Sequence, residues 1–181
     1  MGELGVGKTA LIHRYVLDRF SDNYTPTLGA KVIKKQIMFD LPKKREFNLM
    51  MTVWDVMGER ELLGVARDLY FRDATGLMAV YDLTREETLP ALADWLRAAS
   101  EVVASVPVVI VANKLDLIPR KSIKTLSDGL SAFAEENNAS RVLASAKTGD
   151  NVELAFRKLG VDIIDVLLKK DGERGLAIET Q

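Results

Sequence analysis

Cysteine is absent from all 181 residues, which removes disulfides, thiolate metal sites, a cysteine nucleophile, palmitoylation and a C-terminal prenyl group. Histidine is scarce. His13 stands alone, so a histidine-based metal centre has no second ligand. Charge of one sign is missing too: 25 Lys and Arg against 26 Asp and Glu leave a net −1, and no broad attraction to nucleic acid or anionic membrane is expected. No apolar run approaches the roughly 20 residues of a spanning helix; the longest, Val102 to Ala112, is interrupted by Ser105 and Pro107. The start lacks the charged and apolar regions of a secretory signal. These absences make a reducing cytoplasm the expected location and exclude a lipid anchor on any residue present. What is there is 48% hydrophobic and 28% charged, enough to bury a core, and the length suits one domain, 1–168, with a polar tail over 169–181.

The period of the apolar residues changes along the chain, and the order of the changes gives the architecture. Leu11 with Tyr15 and Ile12 with Val16 repeat at helical spacing, which predicts a first helix over Ala10 to Phe20. Lys31 to Phe39 then alternates, and Leu49 to Trp54 resumes an extended pattern after Pro42-Lys43-Lys44-Arg45, so a hairpin with a basic tip is expected. Gly76 to Tyr81 and Pro107 to Ala112 are short continuous apolar runs of the kind buried on both faces of a parallel sheet. Helical spacing covers Arg60 to Tyr70, Thr88 to Val103, Ser122 to Asn137 and Asn151 to Leu168, and a last strand fits Arg141 to Ala144. Strands alternating with helices predict an α/β fold in three layers: a mostly parallel central sheet with one antiparallel edge strand, and helices on both faces. In such folds ligands sit beyond the carboxyl ends of the strands.

Gly2-Glu3-Leu4-Gly5-Val6-Gly7-Lys8-Thr9 satisfies G-x-x-x-x-G-K-[ST] and runs straight into the first helix. Glycines let backbone N–H groups turn inward around phosphate, the helix N-terminus at Ala10 adds its dipole, Lys8 supplies a point charge and Thr9 a hydroxyl for Mg²⁺. Asp55-Val56-Met57-Gly58 follows an extended segment; its carboxylate can hold Mg²⁺ through water and the Gly58 N–H can reach a terminal phosphate. Asn113-Lys114-Leu115-Asp116 follows a buried strand. The Asp116 carboxylate can accept two parallel donors from the N1 and N2 edge of guanine, an edge adenine does not offer. Ser145-Ala146-Lys147 follows the last strand and can give a backbone N–H to the guanine O6.

In this order the four segments resemble the small Ras-like GTPases, most closely the Rab and Ran side, over Gly2 to about Leu168. Phe20-Ser21-Asp22-Asn23-Tyr24-Thr25-Pro26-Thr27-Leu28-Gly29 looks like the family's first switch, Trp54-Asp55 with Gly58 like the entry to the second, and Ala74 to Thr84 like the following strand and loop. The resemblance implies a P-loop NTPase fold and a monomeric switch that binds GTP or GDP with Mg²⁺, hydrolyses GTP, and meets effectors, exchange factors and activating proteins through two switch segments. It implies that Gly2, Gly5, Val6, Gly7, Lys8, Thr9 and Ala10 hold phosphates, that Phe20 and Tyr24 flank the nucleotide, and that Thr9, Thr27 and Asp55 serve the metal. Asn113, Lys114, Asp116, Ser145, Ala146 and Lys147 would recognise the base, and Lys8, Thr27, Gly58 and Glu59 would act in hydrolysis. No arginine stands out in the sequence as an internal finger, so fast hydrolysis would need a partner. The lack of cysteine turns the likeness toward Ran-like or prokaryotic Ras-like members.

Three departures qualify the resemblance. The family has a buried central strand before the phosphate loop where only Met1 stands here, so a truncated chain or an internal start is expected, with the loop short of its anchor. The family's water-positioning glutamine falls at Glu59; a carboxylate only accepts hydrogen bonds and repels phosphate, which predicts slow turnover and leaves a non-hydrolysing nucleotide-bound interaction module as the alternative. The stretch between Thr27 and Asp55 is longer than usual, with the extra residues at Leu41-Pro42-Lys43-Lys44-Arg45-Glu46, read as a solvated turn. A P-loop ATPase or nucleotide kinase is a third reading, against which Asp116 argues. His13 is read as a surface residue, Trp95 as packing, Met50, Met51 and Met57 as core or switch packing, and the Asp82 to Glu87 cluster as an acidic entry to a helix.

Overall fold

The structure, a computed structural model, describes residues 1–23, 26–27, 29–41, 45–59 and 68–170. Helix α1 (Lys8–Leu17) opens two residues before the expected start, because the left-handed Gly7 caps it and Gly7 O accepts from Leu11 N at 2.9 Å. Strands β1 (Ala30–Leu41) and β2 (Arg45–Val56) pair antiparallel over their whole length, from Ala30 opposite Val56 to Leu41 opposite Arg45. Both exceed the lengths the alternation suggested, since the ladder runs on past the apolar residues. Strands β3 (Leu77–Asp82), β4 (Val108–Asn113) and β5 (Ser140–Leu143) form a parallel sheet in the order β3-β4-β5. Helices α2 (Thr88–Ser100), α3 (Ile123–Glu136) and α4 (Val152–Lys170) connect and follow them. The expected helix over Arg60 to Tyr70 falls outside the described residues except for a short helical turn over 68–71, and the tip at Pro42, Lys43 and Lys44 and the tail over 171–181 lie outside them altogether.

Alternate side chains of β3 and β4 divide the core into two layers, as strand geometry requires. Val80, Val109 and Val111 face α1, α4 and the inner side of the hairpin, meeting Leu11, Phe39, Met51, Phe156 and Ile164. Ala79, Tyr81, Ile110 and Ala112 face the other way, onto Leu92 of α2 and Leu130 and Ala134 of α3. Each buried Leu, Ile or Phe contributes about 1.5–3 kcal/mol. No helix among the described residues is long and apolar enough to cross a membrane.

The mostly parallel sheet is split where a continuous one was expected. The hairpin and the three parallel strands are separate sheets, and between β2 and β3 lies a cavity of about 540 Å³ walled by Met1, Leu11, Met51, Val53, Met78 and Phe156 among others. Met1 holds one rung beside β3: its amine donates to Met78 O at 2.8 Å and its carbonyl accepts from Val80 N at 2.9 Å, the pattern of a parallel bridge opposite Ala79. Burial pushes that amine down to about 5. This rung ties the Gly2–Gly7 loop to β3, where a loop short of its anchor was expected.

Candidate functional site

The loop from Gly2 to Gly7 curls over the carboxyl end of β3 with Gly2, Gly5 and Gly7 all at positive φ. Two of these positions admit no side chain. A Cβ on Gly2 would lie 2.1 Å from Val80 O, and one on Gly7 2.2 Å from Asn113 Nδ2. Gly58 packs against the same loop, where a Cβ would meet Lys8 Nζ at 2.5 Å. Lys8 turns back into the loop and donates to Gly2 O at 2.7 Å and Glu3 O at 2.9 Å. Burial lowers its pKa to about 8, against the opposing pull of Asp55 and Glu3. A half-buried ammonium at the head of a helix is a site for an anion.

At the head of α1, Thr9 Oγ1 meets Thr27 Oγ1 at 2.8 Å and donates to Asp55 Oδ2 at 2.6 Å. Asp55 is 2% exposed, and its Oδ1 has no hydrogen-bond partner. An orphaned carboxylate oxygen beside two hydroxyls is a set of hard donors of the kind Mg²⁺ takes, so these residues fit the metal the resemblance implies. Among the described residues no group of three or more His, Cys, Asp or Glu could hold a metal; the rest of a coordination sphere would be phosphate oxygens and water.

The loops after β4 and β5 close the other end of a cleft of about 390 Å³. Asn113, buried at the end of β4, donates to Val6 O at 2.9 Å and accepts from Ala146 N at 3.1 Å, so one side chain joins the phosphate loop to both later loops. Asp116 is exposed on the cleft wall and accepts from Ser145 Oγ at 2.5 Å. Lys147 pairs with Asp22 at 3.1 Å and sits 5.9 Å from the Phe20 ring centroid, which brings the segment after α1 to the same place.

A family model described as the Ras family matches residues 1–165. The chain belongs to the Ras family. It is 32% identical over 166 residues to the Ras-related protein Rab-4B of Homo sapiens, covering 91% of this chain and 74% of that one. To the Ras-related protein Rab-32A of Dictyostelium discoideum it is 34% identical over 186 residues, 99% and 80% of the two chains. To the GTP-binding protein ypt3 of Schizosaccharomyces pombe the figures are 29% over 176 residues, 97% and 78%. This is a Ras-like, Rab-like small GTPase family, whose members bind guanine nucleotide and act with regulators and effectors.

Within this Ras-family site the expected residues divide by position. Gly5, Gly7, Lys8, Thr9, Ala10, Phe20, Thr27, Gly58, Asn113, Lys114, Asp116, Ala146 and Lys147 line the cleft. Gly2, Val6, Asp55 and Ser145 stand behind it, buried. Glu59 is exposed and off the cleft wall, and Tyr24 lies outside the described residues. Several local readings change. His13 is half-buried and lines the cleft, Met50 is 55% exposed, and Asp82 is fully buried at the end of β3 rather than part of an acidic helix entry. Trp95 packs as expected, yet its Nε1 also donates to Glu3 Oε1 at 3.0 Å.

Sequence reading missed a set of cross-ties. Arg14 donates to Ala146 O at 3.0 Å and Lys147 O at 2.8 Å, fixing the last loop on α1. Asp82 Oδ2 takes Lys114 Nζ at 2.6 Å and Arg85 Nε at 3.0 Å. Arg85 Nη2 then donates to Leu4 O at 2.8 Å, so an arginine does stand against the phosphate loop. The ties of Arg14 and of Arg85 to backbone carbonyls span more than 80 residues and leave no local pattern; for Asp82 the one available hint was an acid at the last position of a buried run.

Proposed function

We propose that this Ras-family protein is a Mg²⁺-dependent guanine-nucleotide switch with slow intrinsic GTP hydrolysis. The observation that carries the reading is the double hold of Asn113 on Val6 O and Ala146 N, which joins the phosphate loop and both base-side loops in one cleft. Lys8 and the N–H groups of the loop bind the phosphates, and Asp116 on the cleft wall accepts from the guanine N1 and N2 edge. Thr9 and Thr27 would hold Mg²⁺ with Asp55 behind them; when bound, the ion neutralises phosphate charge. Thr27 lies on the first switch segment and Gly58 at the entry to the second, so contacts to a terminal phosphate order both segments and their loss releases them.

Glu59 supports the slow step. Its carboxylate is exposed and has no proton to donate toward phosphate, which leaves water poorly positioned without an activating partner. Protein partners are expected on the outward face of the hairpin beside the switches, where the cross-strand neighbours Val32 and Trp54 are 49% and 47% exposed. The test is single-turnover phosphate release with Mg²⁺ and GTP. Slow release that disappears in Thr27→Ala supports the switch; retained nucleotide with no turnover, and the same protease sensitivity with GTP and GDP, supports a non-hydrolysing module.

A further inference from the structure

Arg85 lies midway along the connection between β3 and α2, and its backbone is held at both ends: its N–H donates to Asp82 O at 2.9 Å and its carbonyl accepts from Thr88 Oγ1 at 2.7 Å. Its side chain is aimed by two further contacts. Nε rests on Asp82 Oδ2 at 3.0 Å, and Nη2 reaches Leu4 O at 2.8 Å. The carboxylate that carries it is completely buried, whereas the arginine side chain is 39% exposed. A methyl group added to Gly5, which lines the cleft, would lie 3.7 Å from Nη2. The guanidinium therefore stands beside Leu4 and Gly5, just outside the residues that line the cleft, and among the described residues three of its five donors are uncommitted.

Support of one backbone carbonyl does not require a full positive charge. Asp82 already carries Lys114 at 2.6 Å, so Arg85 is the second cation on a single acid, and Arg85 and Lys8 each donate to backbone carbonyls of the loop. Cations that repel one another across an anion-binding loop are relieved when an anion enters between them.

We propose that Arg85 is a further phosphate-binding residue, a guanidinium supplied from within the chain to the terminal phosphates held by the Gly2–Gly7 loop. This rests on the nucleotide reading above. The prediction separates charge recognition from loop support. Binding of GMP, GDP and GTP is measured with Mg²⁺ for the wild type, Arg85→Ala, Arg85→Gln and Arg85→Lys, with folding of each nucleotide-free variant followed by circular dichroism. Arg85→Ala and Arg85→Gln are expected to weaken GDP and GTP by about tenfold, as loss of one charge-assisted contact does, and to leave GMP within twofold of wild type, while Arg85→Lys recovers part of the loss. The glutamine retains a donor for Leu4 O, so it reads the charge even if the alanine variant fails to fold. Equal loss for all three nucleotides, or no loss for any, overturns the proposal. A wild type that binds none of the three overturns the nucleotide reading instead.

Discussion

At position 59 the proposed slow turnover rests on the difference between an amide and a carboxylate. Glutamine can accept from a water and donate toward phosphate, whereas Glu59 only accepts and brings a like charge. Replacing Glu59 with Gln is therefore expected to raise the single-turnover rate of GTP hydrolysis by about tenfold, or about 1.4 kcal/mol of barrier. An unchanged rate removes the residue from the mechanism. The glycines act through space rather than charge: Gly7 lets the loop descend onto Asn113, and any Cβ there would sit within 2.2 Å of its amide. Residues of this kind announce themselves in sequence, because the loop that needs them is contiguous.

At the scale of elements, the carboxyl ends of β3 and β4 organise everything above them. Asp82 ends β3 and gathers Lys114 from the next loop and Arg85 from its own. Burial raises its carboxyl, but hydrogen bonds from Lys114, Thr84 and Arg85 outweigh that and hold it below its ordinary 3.8. The folded value is lower than the unfolded one, so the stabilisation is complete above 3.8 and is lost as pH falls through the folded value. Asp82→Asn should cost about 1–2 kcal/mol at neutral pH by weakening the hold on two half-exposed cations, and the gap from wild type in urea denaturation should narrow below about pH 4. A gap of constant size from pH 7 to pH 2 contradicts this.

The strands and helices were legible because their apolar periods are local. Each described helix lies within a few residues of its predicted bounds, and the register of the hairpin follows from Ile33, Ile37 and Phe39 facing inward. The phosphate loop, Asp55 and the two base-side loops were legible as contiguous motifs. Arg14 on Ala146 and Lys147, Trp95 on Glu3 and Arg85 on Leu4 were not, because each joins segments that only the folded sheet brings together. The same limit hid the burial of Asp82, which reads in sequence as one more acid in a charged turn.

For the molecule as a whole, the loops at the carboxyl ends of β4 and β5 and the loop before α1 meet at a single cleft. Anything that binds the folded chain alone raises its stability by mass action. The central claim is that one cleft grips a guanine nucleotide through phosphate, metal and base together. Isothermal titration calorimetry with GDP and with ADP, each in the presence of Mg²⁺, tests it most directly. One site for GDP, weakened when Mg²⁺ is chelated, and an affinity for ADP at least about 100-fold lower are predicted from the two charge-assisted contacts of Asp116. No heat with GDP, or equal affinity for ADP, would contradict it.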